Sequence, residues 1–235
     1  MKRLNSRLPH STDMKYRCLV FDHDDTVVNS TATIHHPCFE QFLEDYYPGR
    51  HCSLEEYFLK NFSPGFLPMC REEYGMDDDM LHLEEGYWKE YVRTRIPTAY
   101  SGIREIMQRH RESGGSLAVI SHSFHDNILR DFNANNLPQP DLIYGWEMPA
   151  DRRKPSPWPL YEVIRQLKLS PDEVLVIDDL KPGYDMAKCC GVPFAGAGWA
   201  NNIPEIENFM RQNCGLYFKR VSDLADYLFD EEGSI

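Results

Sequence analysis

Three carboxylates, Asp22, Asp24 and Asp25, fall within four residues, immediately after the apolar run Cys18-Leu19-Val20-Phe21. Like charges this close repel one another, and a divalent cation is the simplest agent that would hold them together. Mg²⁺ suits the role, since it takes one or two carboxylates and leaves room for phosphate and water. A short apolar run closed by turn-type side chains predicts a buried strand in a parallel sheet. In such sheets ligands bind beyond the carboxyl ends of the strands. Two more apolar runs end in chemistry: Leu117 to Ile120 in Ser121, and Val174 to Ile177 in Asp178 and Asp179. Lys154 stands in Arg152-Arg153-Lys154-Pro155-Ser156-Pro157, just ahead of a predicted helix. If the strands are parallel, all these ends share one edge. Carboxylates for a metal, a hydroxyl and an ammonium would then converge, an inventory suited to phosphoryl transfer, where positioning and charge neutralisation do most of the catalysis.

The elements that must carry these groups follow from periodicity. Beyond residues 18–21, strands are expected at 117–120, 142–144, 174–177, 192–195 and 216–218, with helices between them except over 196–215, where no element is read. That alternation implies an α/β fold, a doubly wound parallel sheet covered on both faces. Residues 28–98 break the alternation and read as an all-helical unit. Within it, Ser53-Leu54-Glu55-Glu56 is a capping box opening a helix through Phe58, a further helix is expected over Cys70 to Tyr74, and another over Met80 to Arg95. The expected organisation is an extension at 1–13, a core made of 14–27 and 99–235, and a helical insert at 28–98.

The 235 residues carry a formal charge of −12, which argues against a nucleic-acid backbone or an anionic membrane as the main partner. A small anionic substrate remains compatible, because local cations outweigh the global field. No apolar run approaches the roughly 20 residues of a membrane span, and the basic, polar start lacks the apolar segment of a secretory signal. The seven cysteines form no C-x-x-C pair, a pattern that suits free thiols in a reducing cytoplasm. The sequence leaves the oligomeric state open.

In their order and context these four elements resemble the motifs of the haloacid dehalogenase superfamily of phosphatases and phosphomutases. Phe21-Asp22-His23-Asp24-Asp25-Thr26 resembles its first motif, Val119-Ile120-Ser121 the second, Lys154-Pro155-Ser156-Pro157 the lysine motif and Val176-Ile177-Asp178-Asp179 the acidic fourth. The likeness covers roughly residues 16–199, and the insert is similar to the C1-type helical cap of the β-phosphoglucomutase and phosphoglycolate phosphatase branch. The resemblance implies a Rossmann-like core and a Mg²⁺-dependent phosphatase acting on a small phosphorylated metabolite. It makes Asp22 the nucleophile that becomes an aspartyl phosphate, and Asp24 the acid and then the base. Ser121 and Lys154 would hold the phosphate. Asp22, the Asp24 carbonyl, Asp178 and Asp179 would hold the metal. Lys60 and Asn61 lie where this cap type sends a specificity loop over the site.

One position departs from the family pattern: Asp25 stands where phosphatase motifs often have glycine, and no catalytic role is assigned to it. His35, His36, His51, His82, His122 and His125 show no metal-ligand spacing and read as surface or capping residues. Phe66, Trp88 and Tyr91 read as core of the helical unit, since helical spacing accounts for them. Three other functions compete with a phosphatase. A sugar phosphomutase would use the same intermediate, a receiver-type signalling domain would need a different order of acidic groups, and a silent scaffold would not need every catalytic position filled.

Overall fold

In the computed structural model, which describes residues 14–230, six strands form one parallel sheet; the expected extension at 1–13 lies outside the described residues. In chain order the strands of the whole fold are β1 (Cys18–Phe21), β2 (Val28–Asn29), β3 (Thr98–Ala99), β4 (Ser116–Ile120), β5 (Leu142–Tyr144), β6 (Val174–Asp178), β7 (Phe194–Ala197) and β8 (Leu216–Phe218). The large sheet runs β5-β4-β1-β6-β7-β8, the order in which two halves wind outward from the centre. From β1 the chain moves to β4 on one side, and from β6 to β7 on the other. The winding therefore reverses between β1 and β6.

Side-chain alternation divides the sheet's burden between two faces. Cys18, Val20, Val174 and Val176 point into a core shared with α7 (Trp158–Leu167), α8 (Lys181–Cys190) and α9 (Pro204–Asn213). Leu19, Phe21, Leu175 and Ile177 point into the opposite core, with α5 (Ile103–Glu112), α6 (His125–Ala134) and α10 (Val221–Phe229). Strands buried on both faces need apolar residues at every position, which is why β1 and β6 read as unbroken runs.

Helices α1 (His36–Tyr46), α2 (Leu54–Phe62), α3 (Phe66–Tyr74) and α4 (Asp78–Arg93) follow β2. Phe39, Phe42, Leu43, Tyr57, Met69 and Cys70 give them an apolar cluster of their own. Where the chain leaves and re-enters the sheet region, β2 and β3 pair antiparallel. At the α2 start Ser53 and Glu56 make the expected reciprocal cap.

Three local expectations differ from the structure. The third helix begins at Phe66 rather than Cys70, because Pro68 falls in its first turn, where proline costs no hydrogen bond. Strand β7 lies two residues later than expected, after Pro193, and α9 was not anticipated. Ser123-Phe124-His125-Asp126 reads as a helix cap, but α6 has Phe124 at its N-cap with no side-chain bond, and the Ser123 hydroxyl donates to Asp24 instead.

Candidate active site

Strand register assembles the site. Phe21 pairs with Val119 on one side and with Ile177 on the other. One step further on, Asp22 comes level with Asp178, at the point where the winding reverses. Ser121 lies just past the end of β4. Lys154 arrives from the loop between β5 and α7 and is buried between the two aspartates. Its Nζ donates to Asp22 Oδ1 at 2.7 Å and to Asp178 Oδ2 at 2.6 Å.

The surrounding chain holds these groups in place. Asp178 Oδ1 accepts the Leu180 N–H at 2.8 Å, and Asp179 Oδ1 accepts the Thr26 hydroxyl at 3.2 Å. Gly183 in α8 is needed for the fit, since a Cβ there would stand 2.1 Å from Asp178 Oδ2. Asp22, Asp178 and Asp179 are all at most 4% exposed, and a carboxylate oxygen from each lies within 4.8 Å of the others. Among the described residues, one oxygen of Asp22 and one of Asp179 accept no hydrogen bond.

Electrostatics show why the cluster calls for a cation. Burial pushes Asp178 up to about 7, with Asp22 adding to the rise and Lys154 opposing it. Burial and then the neighbouring carboxylates of Asp22, Asp25 and Asp178 raise Asp179 well above the usual carboxylate range. Burial disfavours the Lys154 charge, but Asp178 and Asp22 outweigh it and raise the ammonium above its ordinary range. One ammonium against three buried carboxylates leaves negative charge over. An oxygen-only donor set with excess charge fits a hard divalent cation such as Mg²⁺.

Asp24 is placed differently. Its carboxylate does not belong to the three-aspartate cluster. Oδ1 accepts from the Ser30 hydroxyl at 2.7 Å and from His35 Nε2–H at 2.9 Å, and Oδ2 accepts from the Ser123 hydroxyl at 2.6 Å. Burial works against its charge, but His35 first, then His23 and Ser123, hold the carboxyl well below the usual range. It lines a small pocket with Ser30, His35, Trp88, Arg95, Ser123 and Asn127.

Ser121 is buried, and its Oγ accepts the Ser123 N–H at 3.1 Å. Asp25 is in the left-handed region, φ 60°, which explains the glycine usual at this position. Aspartate tolerates that conformation better than most residues, and Asp25 Oδ1 accepts the Thr31 N–H at 3.2 Å. Lys60 pairs with Glu73 of α3, and Asn61 donates to the Tyr57 carbonyl one turn back. Neither hydrogen-bonds to the strand-end residues.

Two histidines read as surface or capping residues belong to the site instead. His35 contacts Asp24. His122 follows Ser121, and its Nε2–H donates to the Lys154 carbonyl at 3.0 Å. Burial and the Lys154 charge bring His122 down to about 4, so the ring is neutral at physiological pH. Trp88 is also more than core of the helical unit, since its indole donates to His35. Sequence spacing held no sign of these contacts, because each joins residues from separate elements.

A parallel sheet wound in this order, with carboxylates and a lysine at its reversal point, defines a Rossmann-like α/β core with a charged site at its strand ends. The profile of the haloacid dehalogenase-like hydrolases matches residues 19–197, and the chain belongs to that family. No curated protein matches the sequence. Solved structures share the fold. A "predicted phosphoglycolate phosphatase" from Haemophilus somnus aligns with a TM-score of 0.71 at 18% identity, over 92% of this chain and 99% of its own. A hydrolase of the same family from Deinococcus radiodurans, with bound phosphate and sodium, gives 0.66 at 21% identity, over 92% and 96%. A CbbY variant from Rhodobacter sphaeroides in complex with xylulose-1,5-bisphosphate gives 0.67 at 17%, over 89% and 96%.

Proposed function

We propose that this hydrolase is a Mg²⁺-dependent phosphatase that cleaves a small phosphorylated metabolite through an aspartyl phosphate on Asp22. The observation that carries the proposal is the buried Lys154 ammonium bridging Asp22 and Asp178, with Asp179 beside them. In the first step a carboxylate oxygen of Asp22 attacks phosphorus, and the bond from phosphorus to the leaving oxygen breaks. Asp24 supplies the proton to that oxygen. In the second step Asp24 takes a proton from water as the water oxygen attacks phosphorus, releasing Asp22 and inorganic phosphate.

The three donors on Asp24 favour its charged form, the one the second step requires. For the first step, the negative phosphate entering beside it raises its proton affinity. Lys154 offsets charge on Asp22 and the phosphoryl oxygens, and Ser121 with nearby backbone N–H groups binds those oxygens. Mg²⁺ would be held by the carboxylates of Asp22, Asp178 and Asp179 with the Asp24 carbonyl, and would neutralise charge on the phosphoryl group. In this reading α1–α4 act as a cap whose surface selects the substrate, with Lys60 and Asn61 on it. The complexes of related folds with phosphate and with a sugar bisphosphate support a small phosphorylated substrate.

The test is phosphate release from 4-nitrophenyl phosphate with Mg²⁺, followed by a screen of phosphorylated metabolites. Asp22→Asn abolishes release if the proposal holds; undiminished activity in that variant would sink it. Interconversion of hexose phosphates with little phosphate release would replace the phosphatase with a mutase.

A further inference from the structure

Asp24 is tied to the helical insert by an unbroken chain of hydrogen bonds. His35 ends a wide, π-type turn, Thr31–His35, immediately before α1. Such turns cost hydrogen-bond geometry and recur where a side chain must be aimed. The ring is mostly buried, 14% exposed, and donates from Nε2 to Asp24 Oδ1. Its other nitrogen, Nδ1, accepts the indole N–H of Trp88 in α4 at 2.9 Å. Trp88 also packs against Phe124 at the start of α6, with ring centroids 5.7 Å apart.

An indole nitrogen only donates. A proton on His35 Nδ1 would therefore face the Trp88 N–H, so the contact disfavours protonation there and places the ring hydrogen on Nε2, aimed at Asp24, against the pull of the Asp24 charge, which overcomes burial and raises the proton affinity of the ring. Bonds at both oxygens stop the Asp24 carboxylate from rotating. All three of its partners stand outside the four helices α1–α4, and of the three His35 is the one that hydrogen-bonds to a side chain of α4.

We propose that Trp88 and His35 are positioning residues for Asp24: the α4 indole selects the His35 tautomer, and His35 aims the Asp24 carboxylate at the leaving-group oxygen. The inference rests on the phosphatase reading, in which Asp24 is the acid of the first step. It makes the accuracy of proton delivery depend on where α4 sits over the core.

The test compares 4-nitrophenyl phosphate with phenyl phosphate, which has a similar shape but a poorer leaving group and so depends more on the acid. Values of kcat/KM report steps through formation of the phosphoenzyme. Trp88→Phe keeps an aromatic ring on Phe124 but lacks the N–H. General acid catalysis is commonly worth about 10²–10⁴-fold, so misaiming it is expected to cost about 10-fold on phenyl phosphate and little on 4-nitrophenyl phosphate. His35→Leu is expected to lose more, with the same preference. His35→Gln, which returns an N–H near the Nε2 position, restores most of the phenyl phosphate rate. Equal losses on both esters, no loss, or a gain would overturn the inference while leaving the phosphatase reading standing. A wild-type enzyme inactive on both esters would remove that reading, and the inference with it. Should His35→Leu fail to fold, Trp88→Phe and His35→Gln decide the matter.

Discussion

Replacing Gly183 by alanine sets two known effects against each other. In a helix interior alanine is favoured over glycine by about 1 kcal/mol. The alanine Cβ, however, would lie 2.1 Å from Asp178 Oδ2 and 2.3 Å from its Cγ, where ordinary contact begins at 3.4 Å. From 2.1 to 3.4 Å, the carboxylate must retreat by about 1.3 Å. It cannot do so freely, because Lys154 Nζ holds one oxygen at 2.6 Å and the Leu180 N–H holds the other at 2.8 Å. Overpacking costs about 1–3 kcal/mol, and weakening a hydrogen bond to a charged group about 1.5–3. The clash therefore wins, with a net loss of roughly 2–3 kcal/mol, or about 5–10 °C in Tm for a chain of this size. A displacement near 1 Å at a reacting centre can cost about 10²-fold in rate, so hydrolysis of 4-nitrophenyl phosphate falls by that order and Mg²⁺ binding weakens in calorimetry. Gly86 in α4 is the control: nothing lies within 4 Å of its Cβ position and its φ is not positive, so alanine there should stabilise. If Gly183→Ala were as stable and active as Gly86→Ala, the argument that Gly183 makes room for Asp178 would be wrong.

Burial raises Asp25 to about 6, so the folded state binds its proton more tightly than the unfolded chain and loses stability as pH rises from about 4 through 6. Asp25→Asn keeps both the acceptor for Thr31 and tolerance of the left-handed backbone, and should raise Tm by several degrees at pH 8 but not at pH 4.5. Asp178 and Asp179 are raised in the same sense, so the metal-free protein should melt higher at pH 5.5 than at pH 8, and saturating Mg²⁺ should remove the difference; a flat metal-free profile would contradict the charge excess. Lys154→Met leaves the three carboxylates without their ammonium and should cost about 3–5 kcal/mol at pH 8 by chemical denaturation, partly recovered by Mg²⁺. Arg130 of α6 donates to the carbonyls of Val92, Arg93 and Arg95 while paired with Asp131. Arg130→Ala should speed hydrogen exchange at the end of α4 well before it affects the sheet, whereas uniform exchange across the chain would deny Arg130 that local role.

The strand ends were legible because each carries its own local signature: β1, β4 and β6 are apolar runs that stop at Asp22, Ser121 and Asp178. Buried parallel strands demand that composition, and the polar groups that close each run mark where the strand leaves the sheet. The π-type turn before α1 was not legible, since it departs from helical spacing by a fraction of a turn. Helix α9 was missed although Ile206 and Met210 mark its buried face, because Pro204 at its start reads equally well as a loop. Asp25 was singled out as a departure from the family pattern, but only the structure shows its left-handed backbone and its bond from the Thr31 N–H.

Asp22, Asp24, Ser121, Lys154, Asp178 and Asp179 could be named as candidates from the chain alone because they stand in short, ordered motifs. Tertiary structure decided how those groups divide. Strand register set Asp22 beside Asp178 and brought Lys154 between them, while the side chain of Asp24, two residues away, turned to Ser30, His35 and Ser123. The partners that matter most, Lys154 for Asp22 and Trp88 through His35 for Asp24, come from elements distant in sequence. Their contacts depend on how helices pack on the sheet, and no local pattern of residues encodes that.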